Sequence, residues 1–140
     1  MGYTHYIRQS KPASDVQWEA VCTDFNKLRA AALLEKPLPI QRDEDDPSDV
    51  LMDSEHIAFN GIGEDAHETL VFVKNGAAFN FCKTARKPYD TAVVALLILA
   101  NHHGPDVWEV TSDGVVSDWQ PVLDWMNSTG IGTYTLPKKV

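Results

Sequence analysis

The alternation of apolar and polar positions predicts a succession of strands and helices along the chain. Residues 2–8, GYTHYIR, alternate and are rich in β-formers, which predicts a first strand. Ser14 and Gln17 stand three apart ahead of an apolar stripe, the pattern of a capping box at a helix start. The stripe recurs at helical spacing and consists of Trp18, Val21, Cys22, Phe25, Leu28 and Ala32. We therefore predict a first helix that begins near Ser14 and is ended by Pro37 and Pro39.

The middle of the chain predicts a loop and then three strands. Residues 35–54 carry three prolines and an acidic cluster, the composition of a long surface loop, with room for a short strand at 38–41. Strands are expected at 56–61, 68–74 and 77–82. Asn75-Gly76 supplies the turn that two-residue hairpins favour, because both central residues of such a turn need positive φ. The last two strands are therefore predicted to pair as a hairpin.

The C-terminal half centres on a run of nine apolar or small residues, Ala92–Ala100. Pro88 fits the first position of the helix that contains this run, and Gly104-Pro105 is a strong stop after His103. A strand is expected at 107–111, followed by the S-D-G turn at 112–114. A last helix should then be capped by Ser117 or Asp118 and ended by Gly130, before a strand at 133–136.

The predicted order of elements is β-α-β-β-β-α-β-α, and residues 1–140 are expected to form a single domain. With one extra hairpin strand, this order maps onto the ferredoxin-like, split β-α-β plan of the α+β class. That plan has an antiparallel-rich sheet with helices mainly on one face. The helix around Ala92–Ala100 is apolar nearly all round, so one sheet face cannot bury it completely. It needs cover from the other helices or from a second subunit, which leaves a homodimer open.

Composition and charge narrow the range of partners. The 140 residues carry a formal net charge of −8 at pH 7, and such a surface repels nucleic acid unless cations gather at one place. We therefore expect no general nucleic-acid binding. Residues 1–10 lack the pattern of a signal peptide, and Ala92–Ala100 is too short to span a bilayer. The expectation is a cytoplasmic protein without membrane contact, with Cys22 and Cys82 as free thiols.

Three segments carry a resemblance: GYTHY at 2–6, FNFCKTARKPYD at 79–90, and a strand that ends in SDG ahead of a helix with tryptophan. Together they resemble a group of small bacteriophage and prophage proteins, over most of the chain. The resemblance implies a viral accessory role in the cytoplasm of a bacterial host, without a particular activity. Because small phage proteins of this size often act against host defence, it also suggests a host-defence antagonist.

The segment KTARKPYD, residues 83–90, concentrates positive charge just before a predicted helix start. There, unpaired backbone N–H groups and the helix dipole already favour an anion. Its three cations are Lys83, Arg86 and Lys87. The guanidinium of Arg86 can hold a phosphate through two parallel hydrogen bonds, and Thr84 and Tyr89 could bond the same ligand. The segment therefore predicts a cradle for a small anionic ligand, with a nucleotide as the leading candidate.

Polar residues elsewhere could complete this pocket. His5 lies on the first strand, while Asn60 and Asp113 lie at strand ends, where converging polar side chains form ligand sites. Each also has a purely structural explanation, since His5 and Asn60 suit half-buried polar positions and S-D-G is a common turn. The cations likewise could pair with the acidic residues 43–46, and Asp90 could turn back and hold Arg86.

Catalysis and metal binding find less support. The cations beside Cys82 would lower the pKa of its thiol, yet a nucleophile also needs a base such as His5 or His102. The acidic run at 43–46 lacks the glycine and the terminal glutamate of an EF-hand loop. The remaining histidines have no partners at metal-ligand spacing. No metal and no cofactor are therefore expected.

The predicted function is capture of a small phosphate-bearing ligand, without turnover, by the basic segment. The first alternative is an acidic protein–protein inhibitor of a host nuclease or another defence factor, which would use residues 43–53. The second alternative is a small hydrolase that acts on a phosphorylated metabolite through Cys82, His5 or Asp113.

Overall fold

The computed structural model describes residues 2–35, 38–76 and 78–140. Within these residues the chain forms six strands, three α-helices and one short 3-10 turn. In chain order the strands and α-helices are β1 (Thr4–Gln9), α1 (Asp15–Glu35), β2 (Leu51–Met52), β3 (His56–Phe59), β4 (Leu70–Val73), β5 (Phe79–Lys83), α2 (Asp90–His103), β6 (Trp108–Ser112) and α3 (Val116–Ser128). The predicted α+β class is confirmed.

The strands form two antiparallel sheets of three strands each, ordered β5-β1-β6 and β2-β3-β4. We call the first of them sheet 1. Its central strand is β1, and β5 and β6 both run antiparallel to it, with α2 as the connection between them. The predicted single sheet is thus divided into two smaller ones, and the ferredoxin-like plan is not confirmed.

The hairpin predicted at Asn75-Gly76 is wrong. Among the described strands, β5 pairs only with β1, and Gly76 lacks the left-handed φ that the turn requires. The carboxylate of Glu68 accepts the N–H of Lys83 at 2.7 Å, so a side chain takes the donor that a ladder with β4 would need. Ala77, the predicted first residue of the returning strand, lies outside the described residues.

The signals at the ends of the first two helices are largely confirmed. Ser14 N donates to Gln17 Oε1 at 3.0 Å, and Gln17 N donates to Ser14 Oγ at 3.1 Å, which is the predicted capping box. The helix α2 ends at Gly104 as predicted, but it begins at Asp90, so Pro88 is not its first residue. Pro37, expected to end α1, lies outside the described residues.

Two expectations for the C-terminal part are wrong. The last helix is capped by neither Ser117 nor Asp118, because it already begins at Val116. Asp118 acts from within the first turn, where its Oδ2 accepts the N–H of the residue before the helix at 2.9 Å. Residues 133–136 form no strand. Tyr134 is instead buried in the core, and its backbone N–H is bonded to a side chain of α3.

The described part of the acidic segment, residues 38–54, is more ordered than a free surface loop. It contains β2, which pairs with β3. Gln41 also forms an isolated bridge with Asn60, with N–O distances of 3.0 and 2.9 Å in the two directions. The acidic residues themselves stay at the surface, since Asp43, Glu44 and Asp45 are exposed.

The core is built around α2. Every residue from Ala92 to Ala100 is buried within one chain, where α2 packs against α1, α3 and β6. The helix α2 is therefore covered without a second subunit. The buried stripe of α1 is confirmed at Trp18, Val21, Phe25, Leu28 and Ala32, with Cys22 half-buried. No helix in the described part of the chain has the length and apolarity needed to cross a membrane.

Candidate functional site

Sheet 1 presents two chemically different faces, because alternate residues of a strand point to opposite sides. Its register places His5 opposite Cys82 and Ser112, and places Tyr6 opposite Phe81. His5 and Cys82 are each 1% exposed, whereas Phe81 is 51% exposed. The inner face therefore packs into the core, while the outer face is open to solvent.

The inner face holds a polar network at the start of α2, formed by His5, Thr84, Asp90 and Ser112 and called the His5 network below. His5 Nε2 lies 2.6 Å from Asp90 Oδ1, and His5 Nδ1 lies 2.8 Å from Ser112 Oγ. The hydroxyl of Thr84 donates to the same Asp90 Oδ1 at 2.6 Å. The carboxylate of Asp90 therefore satisfies groups of the protein itself and does not hold Arg86.

The carboxylate sets the protonation of this network. A carboxylate only accepts hydrogen bonds, so Nε2 of His5 carries a proton, and in the neutral ring Nδ1 accepts the hydroxyl of Ser112. This order of groups resembles an activated serine. However, the N–H groups of Gly114 and Trp119 approach Ser112 Oγ at 2.8 and 3.3 Å and occupy both of its lone pairs. Since no lone pair remains for attack on a substrate, the network is structural.

The expectation that neighbouring cations lower the pKa of Cys82 is wrong. Burial raises the pKa of its thiol to about 12, and its sulfur lies 3.5 Å from the carbonyl oxygen of Glu68. Lys83 follows it on the opposite side of β5, so its charge does not face the sulfur. Cys82 is therefore a packing residue of the inner face.

The three cations of the basic segment point in different directions. The side chain of Lys83 lies against Gly2. Lys87 Nζ donates to the carbonyl oxygen of Glu64 at 3.2 Å, and Arg86 turns toward α3. The three cations therefore do not converge on one ligand at the start of α2. Arg86 also does not pair with the acidic residues 43–46.

Arg86 is held in place by its backbone and by two side chains. Ala85 and Arg86 both adopt left-handed φ, 51° and 59°. The guanidinium lies 3.9 Å above the ring of Tyr3, and its NH1 donates to Asp118 Oδ1 at 3.0 Å. This bond raises the pKa of Arg86. The pKa of Asp118 is lowered first by the hydrogen bond from the N–H of Val115 and then by the bond from Arg86. The guanidinium is thus fixed in direction, with 61% of the side chain exposed.

A cleft of about 410 Å³ opens beside the guanidinium. Its lining residues are Gly2, Tyr3, Ala85, Arg86 and Asp113. Asp113 is anchored there, because its Oδ2 accepts the N–H of Thr4 at 3.1 Å and its Oδ1 accepts the hydroxyl of Tyr6 at 3.2 Å. Of the predicted ligand residues, the structure therefore brings Arg86 and Asp113 together, with Lys83 adjacent through Gly2.

Four other predicted ligand residues form hydrogen bonds within the fold. Thr84 and Tyr89 are fully buried, and the hydroxyl of Tyr89 donates to the carbonyl oxygen of Glu68 at 2.6 Å. Asn60 belongs to the segment beside the other sheet, where its side chain makes four hydrogen bonds to the residues that follow it. His5 serves the His5 network. None of the four presents a polar group to the cleft.

The open side of sheet 1 carries aromatic residues that lie outside the predicted ligand site. The rings of Tyr6 and Phe79 stack with centroids 6.1 Å apart, and those of Phe79 and Phe81 are 6.3 Å apart. The guanidinium of Arg8 lies 5.7 Å from the Phe79 ring centre. We call Tyr6, Arg8, Phe79 and Phe81 the outer aromatic face. The alternation in FNF, beside a strand with Tyr6 and Arg8 on one side, was the signal that could have identified it.

A second cavity, of about 230 Å³, lies between the two sheets. Gln9 and Asn80 of its lining are already bonded to backbone carbonyls, of Lys74 at 2.7 Å and of Val71 at 2.5 Å. The buried indole N–H of Trp108 is a single neutral donor without a partner among the described residues. The lining residues described offer no charged group to an anion. The cleft beside Arg86 is therefore the better candidate for a phosphate.

Neither a metal site in the described residues nor a match to a known protein family adds to this geometry. Across residues 2–35, 38–76 and 78–140, no group of three or more His, Cys, Asp or Glu side chains could hold a metal ion. The scan against protein-family models, the search of curated proteins and the search of solved structures find no match to this chain.

Proposed function

We propose that the protein captures a small phosphate-bearing ligand, with a nucleotide as the leading candidate, in the cleft beside Arg86. The observation that carries this proposal is the pair of left-handed residues Ala85 and Arg86. Each such non-glycine residue costs about 1–3 kcal/mol, and such strain concentrates at ligand sites. Here it holds an exposed guanidinium at a cleft.

The charges around the cleft suit an anion of small size. Arg86 has five N–H donors, and the contact with one oxygen of Asp118 uses a single nitrogen, which leaves donors for a phosphate. Lys83 adds a second positive charge through its position against Gly2. The carboxylates of Asp113 and Asp118 oppose an anion, so binding depends on its attraction to Arg86 and Lys83. Because salt screens this attraction, we expect affinity to fall as ionic strength rises.

Capture without turnover fits the inner face of sheet 1. There the lone pairs of Ser112 are occupied by hydrogen bonds, and the thiol of Cys82 is buried. A protein of this kind acts by lowering the free concentration of its ligand. In the cytoplasm of a bacterial host, a phage accessory protein could in this way withhold a nucleotide signal from host defence.

The test is a titration with pyrophosphate and with ADP by calorimetry. Arg86→Ala is expected to weaken binding by about 1.5–3 kcal/mol, because a charge-assisted hydrogen bond is lost. Arg86→Lys keeps the charge without the planar fork and should be intermediate. Lys27→Ala, at an exposed site on α1, serves as the control. Equal affinity of the wild type and a folded Arg86→Ala variant would contradict the proposal.

A second candidate function is inhibition of a host protein through the acidic surface. Hydrogen bonds lower the pKa values of Asp43, Asp46 and Asp49, so these side chains stay ionised in a fixed arrangement. Such a complex should weaken steeply with salt. It should also be abolished by charge reversal at Asp43, Glu44, Asp45 and Asp46. Loss of a partner on charge reversal, with ADP binding absent in the wild type, would favour this candidate.

A further inference from the structure

The outer aromatic face continues directly from the cleft. Asp113 lines the cleft, and its Oδ1 accepts the hydroxyl of Tyr6, so the two surfaces share an edge. Lys83, which lies against Gly2, stands two residues from Phe81 on the same side of β5, about 7 Å along the strand. A ligand whose phosphates lie in the cleft can therefore extend over the rings.

The rings form a preformed apolar surface, with 38° between the planes of Phe79 and Phe81. Phe79 and Phe81 are 47% and 51% exposed, although both stand on a paired strand beside the central strand of sheet 1. Tyr6 stacks on Phe79 with 25° between the ring planes. Because the three rings are carried by hydrogen-bonded strands, little conformational freedom is lost when a planar group covers them.

We infer that the outer aromatic face stacks the base of a nucleotide whose phosphates are held at Arg86 and Lys83. This inference rests on the proposed function and names the ligand class. Aromatic side chains stack nucleobases of any sequence, and cations on both sides of the rings, Arg8 and Lys83, complement phosphate charge. The net charge of −8 opposes a long nucleic acid, so the occupant is a small nucleotide.

The experiment compares three probes, ADP, adenosine and pyrophosphate, on the wild type and on the double variant Phe79→Leu/Phe81→Leu. ADP is expected to bind the wild type about five- to 150-fold more tightly than pyrophosphate does, the range of one base–aromatic stack. The double variant should lose this advantage and bind pyrophosphate as before. Val16→Ala removes another exposed apolar side chain, 76% exposed on α1, and should change nothing.

The remaining outcomes separate the two claims. Equal binding of ADP and pyrophosphate, with no effect of the double variant, overturns the stacking site and leaves the phosphate site standing. Adenosine binding that needs the two rings, without pyrophosphate binding, supports stacking and overturns the phosphate site. Binding of no probe overturns both.

Two measurements test other occupants of the same face. Native mass spectrometry would show a wild-type dimer that the double variant lacks if a second copy covers the rings. An eight-residue deoxythymidine oligonucleotide that binds tenfold more tightly than ADP would assign the face to single-stranded nucleic acid. Either result overturns the inference. Far-ultraviolet circular dichroism of the double variant confirms that it is folded in every arm.

Discussion

The inner and outer faces of sheet 1 use their side chains in opposite ways. On the inner face His5 is 1% exposed, and both of its ring nitrogens are hydrogen-bonded. On the outer face, one residue further along β1, Tyr6 belongs to a group of rings in which Phe81 is 51% exposed. Residue types that are common in catalysis, histidine, serine and cysteine, are thus structural here, whereas the chemically inert phenylalanines are the accessible ones.

This difference shows that accessibility decides which groups can meet a ligand. The polar atoms of the His5 network have partners within the fold, so they stabilise the structure and are not available to a ligand. Phe79 and Phe81 are about half exposed and leave apolar area in water, which favours any ligand that covers it. Measurements on either face test this difference.

The largest expected effect is the slow alkylation of Cys82. With its pKa raised to about 12, its thiolate fraction at pH 7.5 is on the order of a thousandfold below that of a free cysteine. Its reaction with iodoacetamide should therefore be slower by that factor or more and accelerate with rising pH up to the raised pKa. Mass spectrometry of labelled peptides gives the rate.

Cys22 provides the internal control for this measurement. It is half-buried, and burial raises the pKa of its thiol to about 11, so it should react faster than Cys82. In urea both cysteines should react at the rate of a free thiol. Fast labelling of Cys82 in the native protein would show that the inner face opens readily, and the contrast between the faces would fail.

The next effect is on stability, through Asp90. Asp90→Ala leaves the Nε2–H of His5 and the hydroxyl of Thr84 without their acceptor, and His5 has no exposed side-chain surface. We expect a loss of about 2–4 kcal/mol in the free energy of unfolding, measured by urea denaturation. Asp45→Ala, at an exposed position, should stay within about 0.5 kcal/mol of the wild type.

A catalytic role of the His5 network can be tested separately from its contribution to the stability of the fold. Asp90→Asn keeps an acceptor oxygen and should recover part of the lost free energy, whereas it would not restore an ionised group for acid–base chemistry. Ser112→Ala should leave ADP intact in the bound state, as the wild type does. Hydrolysis by the wild type that disappears in Ser112→Ala would return the network to catalysis.

The sequence predicted the helices and the positions of five strands, because each depends on local periodicity. The capping box at Ser14 and the stop at Gly104 were equally local and are confirmed. The partner of β5 was not predictable in the same way. An Asn-Gly pair favours a hairpin locally, but the five-residue register with β1 joins segments that are more than 70 residues apart. Propensity at a turn carries no information about such long-range pairing.

The candidate site was predictable only in its charges. The sequence located Arg86 and Lys83, but charge alone did not show that left-handed backbone at Ala85 and Arg86 turns the guanidinium toward Tyr3. It also did not show that Thr84 and Tyr89 point into the core, because a segment without hydrophobic periodicity does not indicate which of its side chains are buried. The aromatic face, by contrast, followed a period of two and could have been predicted.

The smallest expected effect is on stability at the outer face. Phe81→Leu keeps apolar bulk at a half-exposed position, and we expect the free energy of unfolding to change by less than about 0.5 kcal/mol. Urea denaturation of this variant beside Asp90→Ala measures the contrast directly. A loss above about 1.5 kcal/mol would mean that the ring packs within the fold like a core side chain. With stability unchanged, any loss of ADP affinity in this variant must come from the missing ring, because the folded population is the same.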